Sequence, residues 1–220
     1  MKKIFKILMA LALILVAGVL YLKFIFGPTH YRVKGNAMLP TYASTDSWSH
    51  LFDFTKVELG QNICTGCVVV FNTSRGVQIA RIIGAPQDRI VVMKKDRLVK
   101  INGTPQVYTY VAEYGVKGKD DIIYTVLDEY ATKDGNIEHH ILQSQSKTNI
   151  VPFDPFLNTA TALGNESVEL AKKSCAENAT EVACKVGTGS VFVIGDNRTS
   201  TLYGLIPISS VIGVANPLKQ

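Results

Sequence analysis

The chain has 220 residues, 47% of them apolar and 19% charged, which is enough apolar material to bury a core and excludes disorder along its whole length. Its 23 Lys and Arg against 18 Asp and Glu give a net charge of +5. These cations are scattered, with no basic helix and no interleaving with aromatic residues, so nucleic acid is not an expected partner.

The first predicted element is apolar. Lys2, Lys3 and Lys6 precede a run from Ile7 to Leu22 that resumes after Lys23 with Phe24, Ile25 and Phe26. A helix needs about 20 residues to cross a bilayer, and the stretch from Ile4 to Phe26 has that length if Lys6 and Lys23 extend to the two interfaces. The basic side is expected in the cytoplasm. Residues 1–26 are therefore expected to be a cytoplasmic N-terminus and a single anchor in the inner membrane, with 27–220 as a periplasmic or otherwise extracytoplasmic domain. A cleaved secretory signal shares the charge-then-apolar pattern, but no small-x-small site with a polar start follows it, which favours the anchor. Either reading exports the remainder.

Gly27-Pro28 ends the helix, and short β-branched runs between turn residues follow. Strands are predicted at Cys67–Phe71, Gly76–Ile83, Arg89–Lys94, Arg97–Ile101, Gln106–Val111, Ile122–Leu127, Ile137–Leu142 and Ser190–Ile194, and a short helix at Val168–Cys175. The fold class is mainly β. Residues 108–189 are more polar and read as an irregular insertion into the core fold.

Four cysteines suit an exported, oxidising location. Cys64 and Cys67 form CTGC without the strand-to-helix setting of a thioredoxin site, so a local structural disulfide is favoured there over a redox centre. Cys175 and Cys184 would close a short loop if bridged. Sequence leaves all three pairings of four cysteines open.

Three boxes carry the chemistry. The first is KGNAMLPT (Lys34–Thr41), shortly after the apolar run. The second is QIARIIGAPQDRI (Gln78–Ile90). The third is VIGDNRTSTLYGLIP (Val193–Pro207). Singly each is an ordinary turn motif. Their order and spacing behind one anchor resemble signal peptidase I, a serine endopeptidase family that removes signal peptides from exported preproteins.

The resemblance implies an antiparallel, barrel-like β core. It also implies a serine nucleophile directly before the Met of the first box and a lysine general base before the Arg of the second. Here those positions hold Ala37 and Ala80. Arg81, Gly84, Pro86 and Asp88 match the second box, and Gly195, Asp196, Asn197 and Arg198 match the third. By resemblance, the Ala37 backbone N–H would serve as an oxyanion donor, and Thr201, or Ser200 beside it, would supply a hydroxyl supporting the lysine. Gly35, Asn36, Met38, Pro40, Ile79 and Ile82 are the expected substrate contacts. Gly35 replaces a serine that gives some members a second oxyanion donor, and Tyr203 and Gly204 stand where the third box usually continues with Asp-Ser-Arg. No cofactor or metal is implied.

An amine serves as base near neutrality only if burial disfavours its charged form. On a strand, residues 79, 81 and 83 share one face and 80 and 82 the other, so Arg81 points away from position 80. Alanine supplies neither hydroxyl nor amine, and the family reaction is expected to fail while the binding shell remains.

Three readings follow. Two catalytic positions truncated to alanine inside otherwise intact boxes favour a peptidase deliberately inactivated by substitution of an original serine at 37 and lysine at 80. A natural pseudoenzyme that binds exported or pilus-type precursors is the alternative, and an exported non-enzymatic binding domain is the third. His139 and His140 would point to opposite strand faces and read as surface polar residues, and His30 and His50 have no ligand-spaced partner.

Overall fold

In a computed structural model, the chain is described at residues 9, 11–18, 30–32, 37–41, 51–56, 63–116, 122–130, 138–144, 156–199 and 202–215. Helix α1 (residues 11–18) lies inside the N-terminal apolar run. Its side chains are open to the surroundings: Leu13, Ile14 and Leu15 are each at least 65% exposed. Among the described residues no helix is long and apolar enough to cross a membrane, and the rest of the expected anchor lies outside them.

The remainder is mainly β, and among the described residues the pairings between its named strands are antiparallel. The strands are β1 (His30–Arg32), β2 (Leu51–Lys56), β3 (Val68–Thr73), β4 (Gly76–Gly84), β5 (Arg89–Met93), β6 (Val99–Ile101), β7 (Thr104–Pro105), β8 (Val107–Val116), β9 (Ile122–Tyr130), β10 (Glu138–Ser144), β11 (Cys175–Glu177), β12 (Glu181–Lys185), β13 (Ser190–Ile194), β14 (Tyr203–Pro207) and β15 (Val211–Ala215). Helices α2 (Phe156–Leu163) and α3 (Asn165–Ser174) separate β10 from β11.

A seven-stranded sheet in the order β1-β2-β15-β3-β4-β13-β14 forms the centre. The two-residue alternation of strands sorts its apolar side chains. One face carries Val68, Val70, Ile79, Ile83, Phe192 and Ile194, and the other carries Val69, Phe71, Ala80, Ile82, Val191 and Val193. Both faces of β4 are buried from Ile79 onward, which is why this strand reads as a continuous apolar run.

On the first face, Ile83, Phe192 and Ile194 share a core with Ile90, Val92 and Val99 of a five-stranded sheet, β11-β12-β5-β6-β7. Gly84 permits this contact. A Cβ there would lie 2.7 Å from Ile90 Cγ1 and 3.2 Å from Phe192 Cβ. Gly204 does the same for α2: its φ is +151°, and a Cβ would stand 2.8 Å from Leu163 Cδ1.

The stretch 108–189 divides into parts of different kinds. Strands β8, β9 and β10 make a three-stranded sheet of their own, in the order β10-β9-β8. Helices α2 and α3 bury Phe156, Ala160 and Ala171 in the core shared with Tyr203 and Leu205. Strands β11 and β12 join β5, so the end of this stretch is integral to the five-stranded sheet. The α3 dipole is complemented by Glu166 in its first turn and Lys172 and Lys173 in its last.

The cysteines pair locally, Cys64 with Cys67 and Cys175 with Cys184. The second pair follows from register, since β11 and β12 set these two residues opposite one another with Cα atoms 4.0 Å apart.

Candidate active site

The first box forms a turn over residues 37–41 that lies against the central sheet. Met38 is fully buried with Val68, Val70, Ile79 and Ala215, so the turn sits on the Ile79 face. Ala37 is half-buried, and its carbonyl accepts the Asn197 N–H at 2.9 Å. Pro40 is half-buried, and the Leu39–Pro40 bond is cis. Gly35 and Asn36 lie outside the described residues.

The second box is β4 and the turn after it. Arg81 shares the Ile79 face, as the alternation predicts, and is 7% exposed. Its Nε donates to Asp196 Oδ1 at 2.8 Å and its Nη2 to Oδ2 at 2.6 Å, while Nη1 donates to the Gly66 carbonyl at 2.8 Å. This two-pronged pairing is the geometry a planar guanidinium makes best with a carboxylate. Thr41 Oγ1 donates to the same Asp196 Oδ2 at 2.5 Å. Asp196 therefore joins the first box to the second.

Ala80 points the other way. It is fully buried among Val69, Phe71, Val193 and Ile206, and Ile82 beside it is 1% exposed. Asp88 shapes the turn at Pro86: its Oδ2 accepts the Ala85 N–H at 2.9 Å and its Oδ1 accepts Asn102 Nδ2 at 2.8 Å.

The third box closes on itself through a Gly195 N–H bond to the Leu202 carbonyl at 2.8 Å. Asn197 turns its amide oxygen to the Thr199 N–H and hydroxyl, at 3.0 and 2.6 Å. Asp196, Asn197 and Arg198 are all buried. Ser200 and Thr201 lie outside the described residues.

Four residues that sequence reading did not single out, or placed elsewhere, complete the neighbourhood. Arg198 Nη2 donates to Glu129 Oε2, and Tyr108 donates its hydroxyl hydrogen to Glu129 Oε1 at 2.7 Å. His139 Nε2 lies 2.9 Å from Glu129 Oε2 and 3.8 Å from Asp196 Oδ1. Neither of its ring nitrogens has hydrogen-bond alignment with a described partner, so its contact with Glu129 is one of proximity. Arg97 Nη1 donates to the Arg198 carbonyl at 2.9 Å, and Arg198 Nη1 returns a bond to the Arg97 carbonyl at 3.1 Å.

His139 was expected at the surface, and this is corrected. It is 9% exposed, whereas His140 is exposed. The two do point to opposite faces of β10, and one of those faces is covered by the third box.

Burial pushes the Glu129 carboxyl up, but the Arg198 guanidinium, with His139 and the Tyr108 hydroxyl, outweighs it and holds the group down at about 2. Burial opposes the charge on Arg198 as well, and Glu129 reverses that, so its pKa is raised. Tyr108 is held neutral by burial and by the Glu129 charge. An ionised carboxylate and guanidinium this deep persist only because they neutralise each other. A small pocket, with room for about one water molecule, lies alongside, lined by Ile82, Ile83, Val99, Gln106, Glu129 and His139, and Ala80 is not on its wall.

The structure thus brings Ala37, Thr41, Arg81, Asp196 and Asn197 together, and sends the side chain of Ala80 into the apolar core on the other face. No group of three or more His, Cys, Asp or Glu side chains suited to a metal ion occurs among the described residues.

No curated protein matches the chain. The family model for the signal peptidases, peptidase S26, matches residues 2–218, and all three boxes lie inside that match. The chain belongs to the signal peptidase family, peptidase S26.

Proposed function

We propose that the chain is a signal peptidase I-type scaffold, anchored in the membrane by residues 4–26, that holds an extended preprotein segment beside the 37–41 turn and does not cut it. The observation that carries this reading is the joining of the boxes: Asp196 bonds Arg81 and Thr41, and Asn197 bonds the Ala37 carbonyl. The exposed apolar side chains of α1 support an anchor, because lipid is the surrounding in which they are stable.

In the family reaction a serine hydroxyl at position 37 attacks the scissile carbonyl and a neutral lysine amine at position 80 takes its proton. Position 80 is enclosed by apolar side chains, which would disfavour an ammonium ion there, but it faces the side of β4 opposite the 37–41 turn, so the combined change Ala37→Ser and Ala80→Lys tests whether a lysine amine from this position reaches position 37. The hydroxyl of Thr201, or of Ser200, is the proposed support for that amine. With alanine at both positions the attacker and the base are missing, while the Ala37 N–H remains as an oxyanion donor. An extended substrate would gain affinity from main-chain hydrogen bonds and selectivity from shallow pockets beside Met38, Pro40, Ile79 and Ile82.

Two truncations to alanine inside kept boxes favour an inactivated peptidase over a natural precursor-binding relative. The full chain should bind an Ala-x-Ala signal peptide without cleaving it, and the combined change Ala37→Ser and Ala80→Lys should restore cleavage. A folded, membrane-inserted double variant that binds but never cuts would overturn the inactivated-peptidase reading in favour of the natural binding relative. Absence of peptide binding by the unaltered chain would overturn the scaffold itself.

A further inference from the structure

The three-stranded sheet β8–β10 lies within the stretch of sequence that none of the boxes explains, yet it is bonded to the third box at every level. Its outer strand adds to the loop: the Leu142 N–H donates to the Asp196 carbonyl at 2.9 Å, and the Arg198 N–H donates to the Leu142 carbonyl at 2.8 Å. These two bonds form a parallel bridge between Leu142 and Asn197. Side chains repeat the connection, since Glu129 on β9 and Tyr108 on β8 engage Arg198, directly and through one another, and His139 on β10 lies against Glu129 and Asp196.

We infer that Glu129 is a positioning residue for the candidate site, and that the sheet β8–β10 is a buttress that sets the 37–41 turn through the third box. This rests on the reading of that turn as the site. The path is short and continuous. Glu129 holds Arg198, whose main chain is clamped between Leu142 and Arg97, so the peptide units of Asp196 and Asn197 just before it have little freedom. Those two residues are the ones that grip the turn, Asp196 through Thr41 and Asn197 through the Ala37 carbonyl.

The Tyr108 hydroxyl ties the same carboxylate to the five-stranded sheet, because it also accepts the Val99 N–H at 2.9 Å. Arg97, in the turn between β5 and β6, takes the Arg198 carbonyl. The third box is thereby held from two independently packed sheets. A loop bonded only within itself would sample several arrangements. One clamped from both sides presents a single geometry, and the energy of a buried, fully paired carboxylate sets how strongly.

The test is amide hydrogen exchange on the full chain in detergent micelles, comparing it with Glu129→Gln. The amide is close to isosteric with the carboxylate; it removes the charge and turns one of the two acceptor oxygens into a donor. Exchange at Ala37, Met38, Leu39 and Thr41, and at residues 195–199, should accelerate by roughly tenfold or more, the scale of one lost charged hydrogen bond. Exchange at Val69, Val70 and Ile79 in the centre of β3 and β4 should not change. Tyr108→Phe, which keeps the charge pair and loses the two hydrogen bonds of the hydroxyl, to Glu129 and from Val99, should show the same pattern at smaller size and serves if Glu129→Gln does not fold.

Unchanged exchange at 37–41 in the folded variants would overturn the buttress. A uniform acceleration across β3 and β4 would overturn it too, because that is the mark of general destabilisation. The exchange pattern does not depend on any peptide binding, so a chain that shows it but binds no signal peptide would sink the site reading and leave the buttress standing.

Discussion

Asp196→Asn tests the joint on which the site reading stands. Asp196 is fully buried and accepts two bonds from Arg81, at 2.8 and 2.6 Å, and one from Thr41 at 2.5 Å. Asparagine keeps one acceptor oxygen, but its amide nitrogen then faces a donor, whichever way the group is turned. Arg81 is left as a buried cation with no counter-charge of its own. Removing one partner of such a pair costs about 3–5 kcal/mol. The surviving bond from Arg81 Nη1 to the Gly66 carbonyl at 2.8 Å places the expected loss at the lower end of that range.

In a protein of this size each kcal/mol lowers the melting temperature by roughly 2–4 °C, so a fall of about 10 °C is expected in calorimetry or circular dichroism. Thr41→Val alone removes one hydrogen bond from the same carboxylate and should cost about 1 kcal/mol. Because both changes act on one group, the double variant should fall short of additivity by more than about 0.5 kcal/mol. A loss under about 1 kcal/mol for Asp196→Asn, or strict additivity with Thr41→Val, would show that Asp196 does not join the boxes in solution.

Stability should also fall in acid through Glu129. Its folded pKa of about 2 is below the ordinary 4.5, so its contribution is complete above pH 4.5 and is lost as pH falls towards 2. Linkage puts that contribution on the order of 3 kcal/mol. Urea unfolding from pH 6 to pH 2 should show it as a slope that Glu129→Gln flattens; equal slopes would refute the pairing. Gly84→Ala should destabilise by about 1–3 kcal/mol, because the added methyl meets Ile90 and Phe192 in the closed core between two sheets. A variant as stable as the parent would mean the two sheets do not approach as closely as the structure has them.

The sequence by itself determined the strand that carries the second box, the strand that opens the third, and the family resemblance of all three boxes. Val68–Phe71 is an apolar run and Ile79–Gly84 is apolar except for Arg81; both are flanked by glycine turns, and they form strands for that local reason. Alternation on β4 was enough to separate Arg81 from Ala80, because side-chain direction on a strand is fixed by parity alone. Strands β14 and β15 were not predicted, although YGLIP and VIGVA are apolar, because each is short and interrupted by glycine or proline; pairing with β13 in one case and with β2 and β3 in the other holds them.

Only the tertiary structure decided what surrounds the boxes. Glu129 lies just past the predicted strand Ile122–Leu127, and His139 next to His140 reads as surface. Parity says that neighbours point opposite ways, but it does not say which face another part of the chain will cover. Glu129 and Arg198 are 69 residues apart, and Arg81 and Asp196 are 115 apart. Charges at such separation find one another through the packing of three sheets, which no local pattern encodes. The boxes name the chemistry, and the folded contacts between distant acids and arginines set the geometry in which it could occur.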